Sequence, residues 1–449
     1  MTAHFSVNDR SLDLPLVEPT EGNLGVSVAG LRKETGAVTF DPGFMNTAPT
    51  TSAITFIDGE AGILRHRGYP IEQLAEHSSY LEVAFLLIYG ELPTKGQLDQ
   101  FVHSIEQRTL LDENLKRVFI ALPRDAAPMA VLQAGVSALS TFYQDSLDPS
   151  DPEQVHISTL RLLAKMPTMA AYAHRVANGQ PLMYPDNSLS LVQNFLRLMF
   201  AFPVEDFVAD PVVVRALEQL FILHADHEQN CSATAVRLVG SAGADLFSSI
   251  SAGVAALSGP AHGGANTRVM HMLDDLRKSG QDPRVFMEKV KSKDDSTRLM
   301  GFGHRVYKNY DPRAKFVKGI ADTVLERLGI HDERLELAMK LEEIALRDEY
   351  FIERHLYPNI DFYTGIIYKA MGFPTHMFTV LFAIGRLPGW IAQWQEAIND
   401  PDTKIMRPRQ IYTGEAERAY VPIEERTGTS ELLLHDLREE LKARENKAE

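Results

Sequence analysis

The chain of 449 residues holds a single cysteine, Cys231, so it can form no internal disulfide and no cysteine-built zinc ribbon. It also lacks a long apolar run. The strongest, Met377 to Ile384, falls far short of the ~20 residues that cross a bilayer, and Arg386 follows it. The amino terminus carries neither a basic start leading into an apolar stretch nor an Arg-rich amphipathic pattern, so no targeting signal is expected. Positive charge is in deficit: 45 Lys and Arg stand against 60 Asp and Glu, a net charge of −15. A field of that sign repels polyanions, which disfavours a general nucleic-acid role and means that an anionic ligand needs a local cationic cluster. Repeats and low-complexity tracts are missing as well. These absences leave a soluble, reduced, cytoplasmic protein with no membrane and no nucleic-acid partner as the expectation. The bulk composition, 45% hydrophobic and 23% charged, is that of a globular protein. At roughly 100–200 residues per domain, the length implies two or three domains.

Residues 1–60 read as β-rich. Gly22, Gly25, Gly30 and Gly36 punctuate short runs such as Leu24–Val28 and Ala37–Phe40, and Thr51–Ile57 ends in the turn signal Asp58-Gly59. From Ile71 the period becomes helical. Ser79-Tyr-Leu-Glu has the pattern of a capping box opening Leu81–Tyr89, and a helical run is expected from Val212 to Gly240. Charge, Gly280 and Pro283 after Asp274, and the return of apolar sequence between Gly372 and Gly389, mark a smaller inserted lobe. The organisation read from this is a large helical domain (61–274 and 386–429), a small helical domain (275–385) and a charged tail (430–449). In the tail Leu433, Leu437 and Leu441 recur at helical spacing. The fold class is mainly α with a small β region.

Four segments could carry chemistry. In His224-Ala-Asp-His227-Glu228-Gln-Asn230 two histidines lie three apart, which would share a helical face, but not with the His-Glu-x-x-His spacing of zinc proteases. Gly259-Pro-Ala-His262-Gly-Gly-Ala-Asn266 surrounds one imidazole with tiny residues, so that a large ligand can approach it. Gly301-Phe-Gly303-His304-Arg305-Val-Tyr-Lys308 begins like a glycine-rich phosphate loop, but Val306 stands where the third glycine should be. Around it Arg305, Lys308, Arg313 and Lys315 face only Asp311, a local balance of +3 suited to an anion. In Tyr357-Pro-Asn-Ile-Asp361-Phe-Tyr-Thr-Gly365 a carboxylate sits among aromatic and apolar residues, where desolvation makes it a stronger base, although a helix cap is an equal alternative. Arg386 interrupts an apolar stretch and calls for a buried carboxylate or a ligand. Arg407, in Met406-Arg-Pro-Arg-Gln, reads on its own as surface.

In their order and combination, His-Ala-Asp-His-Glu-Gln-Asn, Gly-Pro-Ala-His-Gly-Gly-Ala-Asn, Gly-Phe-Gly-His-Arg-Val-Tyr-Lys and Pro-Asn-Ile-Asp-Phe-Tyr-Thr-Gly resemble the citrate synthase family, from about Thr39 to Gly414. The β-bearing amino terminus resembles its larger bacterial branch, whose dimers assemble into hexamers. The resemblance implies a two-domain helical fold and an acyltransferase of the tricarboxylic acid cycle. Such an enzyme condenses oxaloacetate with acetyl-CoA and hydrolyses the citryl thioester, with no metal and no cofactor. It implies Asp361 as the base, His262 on the thioester carbonyl and His304 on the oxaloacetate carbonyl. His227, Arg313, Arg386 and Arg407 would bind oxaloacetate, with Arg407 reaching in from the partner of a homodimer. Lys308, Arg305, Gly301 and Gly303 would meet CoA. Three rivals remain at this point: a 2-methylcitrate synthase using propionyl-CoA, a metal-dependent hydrolase built on His224, His227 and Glu228, and a non-catalytic CoA- or citrate-binding regulator.

Overall fold

Two small antiparallel sheets precede the helices. In the first, Thr2–Val7 pairs with Arg10–Val17, to which Gly25–Val26 adds. Partly buried and exposed residues alternate along Thr2–Val7, as a sheet with one covered face requires. In the second, Thr55–Asp58 pairs with Ile63–His66 in the register Thr55 to His66, and Tyr69–Pro70 extends it. The turn expected at Asp58-Gly59 is present: Asp58 Oδ1 accepts the N–H groups of Glu60 and Ala61 at 3.0 and 2.9 Å. Ala37–Phe40 forms no strand, and a short helix, Leu31–Thr35, lies just before it. The computed structural model describes residues 2–7, 9–292 and 297–426, so the tail expected over 430–449 lies outside the described residues.

The rest is helical, with eighteen α-helices among the described residues. The first of the long succession, Ile71–His77, starts at the expected residue, and Ser79 and Glu82 form the full capping box at the head of Tyr80–Tyr89. Met1–Met406 forms one compact unit and Arg407–Glu449 a second, whose described part contains only the short 3-10 turn Ile423–Glu425. Both expected lobe boundaries fall inside helices, 274/275 within Ala265–Ser279 and 385/386 within Phe378–Asn399.

Two interruptions position the site. The helical run expected over Val212–Gly240 is broken: Pro211–His224 ends, Ala225–Asn230 leaves the helix, and Cys231–Gly240 starts afresh under an Asn230 cap. Five polar or ionisable residues in a row, Asp226 to Asn230, offer bonds to nearby backbone that compete with the ladder there. Glu228 takes a left-handed conformation at φ 50°, which is uncommon outside glycine. The second interruption lies in the buried helix Phe378–Asn399, where Pro388 cannot donate to the Ile384 carbonyl. The Tyr80 hydroxyl donates to that carbonyl instead, and the next N–H, of Gly389, bonds across to the Ala225 carbonyl at 3.1 Å. The broken run and the proline-bearing helix are thereby tied to each other.

Gly389 is what permits this approach, because a Cβ there would lie 2.1 Å from the Ala225 oxygen and 2.7 Å from Asp226 Oδ1. Gly389→Ala should therefore cost about 1–3 kcal/mol of stability through forced backbone shifts. It should also displace the Asp226–His227 segment, so that thermal unfolding and activity fall together. An alanine variant with wild-type melting and turnover would show that the contact is slack.

Candidate active site

The helix break throws His227 out of the cylinder it was expected to share with His224. Glu228 N–H bonds to Asp226 Oδ2 at 3.2 Å, and Glu228 Oε1 accepts the Ile57 N–H at 3.1 Å, pinning the turn to the second sheet. His227 is then buried with its Nε2 at 3.2 Å from the Tyr307 hydroxyl and its ring 5.2 Å from that of His304. His224 instead stays in the helix, where its Nδ1 donates to the Leu220 carbonyl at 2.7 Å. Among the described residues no group of three or more His, Cys, Asp or Glu is placed to hold a metal ion, so His224, His227 and Glu228 do not converge as the hydrolase reading requires.

His304 is fixed by its own loop. Its Nδ1 accepts the N–H groups of Val306 and Tyr307 at 3.0 and 3.2 Å. A nitrogen that accepts two N–H groups carries no proton, so the proton is assigned to Nε2, which becomes a donor. The loop in turn is zipped to the segment before Asp361. Gly303 N–H donates to the Tyr357 carbonyl at 2.8 Å, and Asn359 N–H to the Gly301 carbonyl at 2.9 Å. The Asn359 side chain donates to the Gly303 carbonyl at 2.9 Å and accepts the Asp361 N–H at 3.0 Å, capping the helix Ile360–Ala370. One asparagine thus joins the His304 loop to the Asp361 helix. Asp361 itself is not the cap but sits in the first turn. Gly301 (φ 79°) and Gly303 (φ 73°) serve this packing: a Cβ on Gly301 would lie 2.8 Å from Val269 and 3.0 Å from Phe362.

His262 lies in the turn before helix Ala265–Ser279. Its Nε2 stands 2.9 Å from Ser232 Oγ and receives the Ser232 N–H at 3.4 Å, which places the proton on Nδ1. Ser232 Oγ accepts the Trp390 indole N–H at 3.0 Å, and its one proton is shared between His262 Nε2 and Asn230 Oδ1, the latter at 2.7 Å. The two arginines differ. Arg313 is buried against Asp311, with Nε and Nη2 donating to its carboxylate at 3.0 and 2.9 Å, and each partner strengthens the other's charged form. Arg386, 2% exposed, donates through Nε to the His224 carbonyl at 2.6 Å, while its Nη1 has no partner.

The electrostatics follow first from burial of the titrating groups themselves and then from the cations beside them. Desolvation, with Arg386 nearby, pushes the His262 imidazole down to about 4. Desolvation and Arg313 do the same to His304, also to about 4, and hold His227 well below the usual histidine range. The site imidazoles are neutral near pH 7. Asp361 moves the other way: desolvation lifts it to about 6 against the pull of Arg313. Desolvation also lowers Arg386 to about 10, the signature of a guanidinium short of counter-charge.

A neutral donor on each of two histidines, a carboxylate poised near neutrality and an unpartnered buried guanidinium suit proton abstraction beside a carbonyl and capture of a carboxylate. The comparisons with known proteins agree in kind. Residues 43–409 match the family described as citrate synthase, C-terminal domain. The chain is 61% identical over 425 residues to citrate synthase 1 of Mycobacterium tuberculosis, covering 95% of this chain and 99% of that protein. It is 58% identical over 415 residues to citrate synthase of Corynebacterium glutamicum, covering 92% and 95%. Among solved structures, citrate synthase of Pyrobaculum aerophilum superposes with a TM-score of 0.78 at 36% identity, over 87% of this chain and 98% of that one. The ternary complex of carboxymethyl coenzyme A and oxaloacetate with the Thermoplasma acidophilum enzyme gives 0.76 at 32%, over 85% and 98%. The chain belongs to the citrate synthase family. It is an enzyme of the transferase class, and its mainly helical fold is that of the family.

Not every expected residue of this citrate synthase family site converges. His227, His304, Arg313, Arg386, Asp361 and His262 are linked by the contacts and fields above. Lys308 and Arg305 are exposed at the rim; Lys308 donates its backbone N–H to the Gly59 carbonyl at 2.9 Å, and the Arg305 guanidinium contacts Met45 Sδ. Arg407 is exposed and opens the second unit. Ser232, Tyr307, Asp311 and Asn359 were not singled out as functional. Asp311 before Pro312 and Asn359 before Ile360 carry a cap signature that could have revealed them; Ser232 carries none. Asn359→Ala should cost about 1–2 kcal/mol for the lost cap and reduce activity. Asn359→Asp should keep the cap but still lose activity, because it cannot donate to Gly303. Denaturant unfolding beside steady-state rates separates the two effects, and an active Asp variant would contradict the joining role.

Proposed function

We propose that this site divides the condensation of oxaloacetate with acetyl-CoA, and hydrolysis of the resulting citryl thioester, among the residues as follows. The observation that carries the reading is Arg386, whose buried Nη1 has no partner and therefore awaits a ligand carboxylate. Arg313 would contribute to the same clamp from its pair with Asp311, His227 would donate a further hydrogen bond, and Arg407 would reach in from the partner subunit of a homodimer. Dimers would assemble further into hexamers.

Asp361 removes a proton from the acetyl methyl group. A thioester α-proton is weakly acidic, so His262 Nδ1–H must stabilise the enol or enolate oxygen as it forms. The nucleophilic carbon then attacks the oxaloacetate ketone. The C–C bond forms as the ketone oxygen gains charge, and the His304 Nε2–H answers it with a hydrogen bond or its proton. Water next cleaves the thioester, leaving the new carboxylate of citrate and the free CoA thiol. Lys308 and Arg305 would meet the CoA phosphates, the arginine after leaving Met45 Sδ. Gly301 and Gly303 would border the nucleotide, although their lack of side chains already has a reason in protein packing. Closure of a smaller lobe (275–385) over oxaloacetate would exclude water until hydrolysis, with Pro388 and Gly389 as a place for the long helix to bend. The reaction is proposed for the cytoplasm, with acetyl-CoA preferred to propionyl-CoA; an extra methylene is worth only about 1–3 kcal/mol, so some propionyl turnover is expected.

Two tests follow. Arg386→Met removes a buried charge that lacks a full counter-charge, so unfolding stability should change by less than about 1 kcal/mol. Oxaloacetate affinity should nevertheless weaken by about 2–5 kcal/mol, as calorimetric titration would read. Equal affinity in the variant would remove Arg386 from the clamp. The second test follows oxaloacetate-dependent release of CoA thiol against pH. Asp361 must be ionised, and its raised value predicts an acidic limb with midpoint near 6. The imidazoles of His262 and His304, lowered to about 4, stay neutral through that window. Asp361→Asn should abolish the release, and faster release from propionyl-CoA than acetyl-CoA would reverse the substrate assignment.

A further inference from the structure

One buried carboxylate outside this catalytic set joins its two arms. Glu342, on helix Glu333–Ala345, is 4% exposed. Its Oε1 accepts the Tyr310 hydroxyl at 2.6 Å; its Oε2 accepts the Tyr363 hydroxyl at 2.6 Å and the Lys318 ammonium. Burial alone would push this carboxyl up, but Lys318 and the two phenols together hold it below the usual range, so it is ionised. The donors come from different places. Tyr310 directly precedes Asp311, which grips Arg313 in a two-point pair, and Lys318 lies on the helix Pro312–Leu328, whose first turn holds Arg313. Tyr363 follows Asp361 by two residues on the helix Ile360–Ala370. We propose that Glu342 is a positioning residue that sets the base Asp361 against the carboxylate clamp Arg313, by binding the tyrosine beside each. The inference rests on the roles given to Asp361 and Arg313 above.

A carboxylate suits this task because both oxygens only accept, so two hydroxyls and an ammonium can converge on it. An amide offers one accepting oxygen and would turn an NH2 group toward a phenol or the ammonium. Misplacing reacting groups by about 1 Å can cost roughly 100-fold in rate while leaving the ligand contacts intact. That distinguishes positioning from simple support of the fold, which would appear as lost stability.

The test is steady-state kinetics and thermal unfolding of the full-length enzyme as Glu342→Gln, Tyr310→Phe, Tyr363→Phe and the double tyrosine variant, with Asp361→Asn as reference. Glu342→Gln should lower kcat by about 10- to 100-fold with the KM for oxaloacetate within about threefold, since Arg386 and Arg313 remain. The two tyrosine effects on kcat should be non-additive, the double variant losing less than the product of the singles, because either break already uncouples the arms. Wild-type kcat in Glu342→Gln, a loss confined to thermal stability, or multiplying tyrosine effects would each overturn the proposal. Should Glu342→Gln fail to fold, the tyrosine cycle decides alone. A wild-type rate in Asp361→Asn would remove the base assignment, and this inference with it; an inactive Asp361→Asn beside a normal Glu342→Gln would fail the inference alone.

Discussion

Two buried guanidinium groups allow only one protonation pattern around them. Arg313 and Arg386 are each withdrawn from water together with the imidazoles around them; desolvation lowers the pKa of His66, His224, His227, His262 and His304 below the usual value, and one or both arginines lower each further. A charged imidazole added to that field would stand beside a buried cation with little solvent, and the Asp311 carboxylate that favours it on His224 and His304 is already engaged by Arg313. Neutral histidines follow, and they suit the proposed chemistry: a neutral N–H would stabilise a developing oxyanion without first surrendering its proton, and a neutral ring would leave the negative charge of Asp361 free for its proposed role as base. The same field explains why the two arginines differ. Arg313 is nearly neutralised by Asp311, so its carboxylate-binding capacity is shared. Arg386 keeps an unmet donor, and desolvation holds it below the usual value where Arg313 is raised by its partner.

Backbone breaks make this burial possible. A continuous helix over residues 211–240 would leave His227 on the cylinder with its neighbours. An unbroken hydrogen-bond ladder past position 388 would keep the Ile384 carbonyl and the Gly389 N–H within their own helix. Instead each break supplies what the other lacks, with Gly389 donating to Ala225 while Gln393, one turn later, reaches the Asp226 carboxylate at 3.3 Å. The second sheet closes the arrangement through Ile57 and Glu228. Glu228 pays for its turn with a strained φ and, from desolvation, a carboxyl raised to about 7.

Much of this was legible in the residues alone, where a local pattern carries a physical cause. Arg386 in an apolar stretch, Asp361 between Ile360 and Phe362, and the Ser79 capping box all declare themselves within a few positions. The helix break at Ala225–Asn230 did not, because periodicity counts apolar spacing and cannot weigh a competing bond from Gly389, 164 positions away. Ser232 and Glu342 were hidden for a related reason. Each looks like an ordinary helical residue until Trp390 and His262, or Tyr310 and Tyr363, arrive from distant sequence. Gly301 and Gly303 were noticed for ligand access, whereas their neighbours Phe362 and Leu356 supply a nearer reason.

The claim that the imidazoles are neutral by electrostatic necessity has one direct measurement: the ring-nitrogen shifts of the histidines in 15N-labelled substrate-free enzyme between pH 8 and pH 5. His304 should show a protonated Nε2 and a bare Nδ1 throughout, and His262 the opposite assignment, neither titrating in that range. A midpoint near 6.5 for either residue would contradict the account.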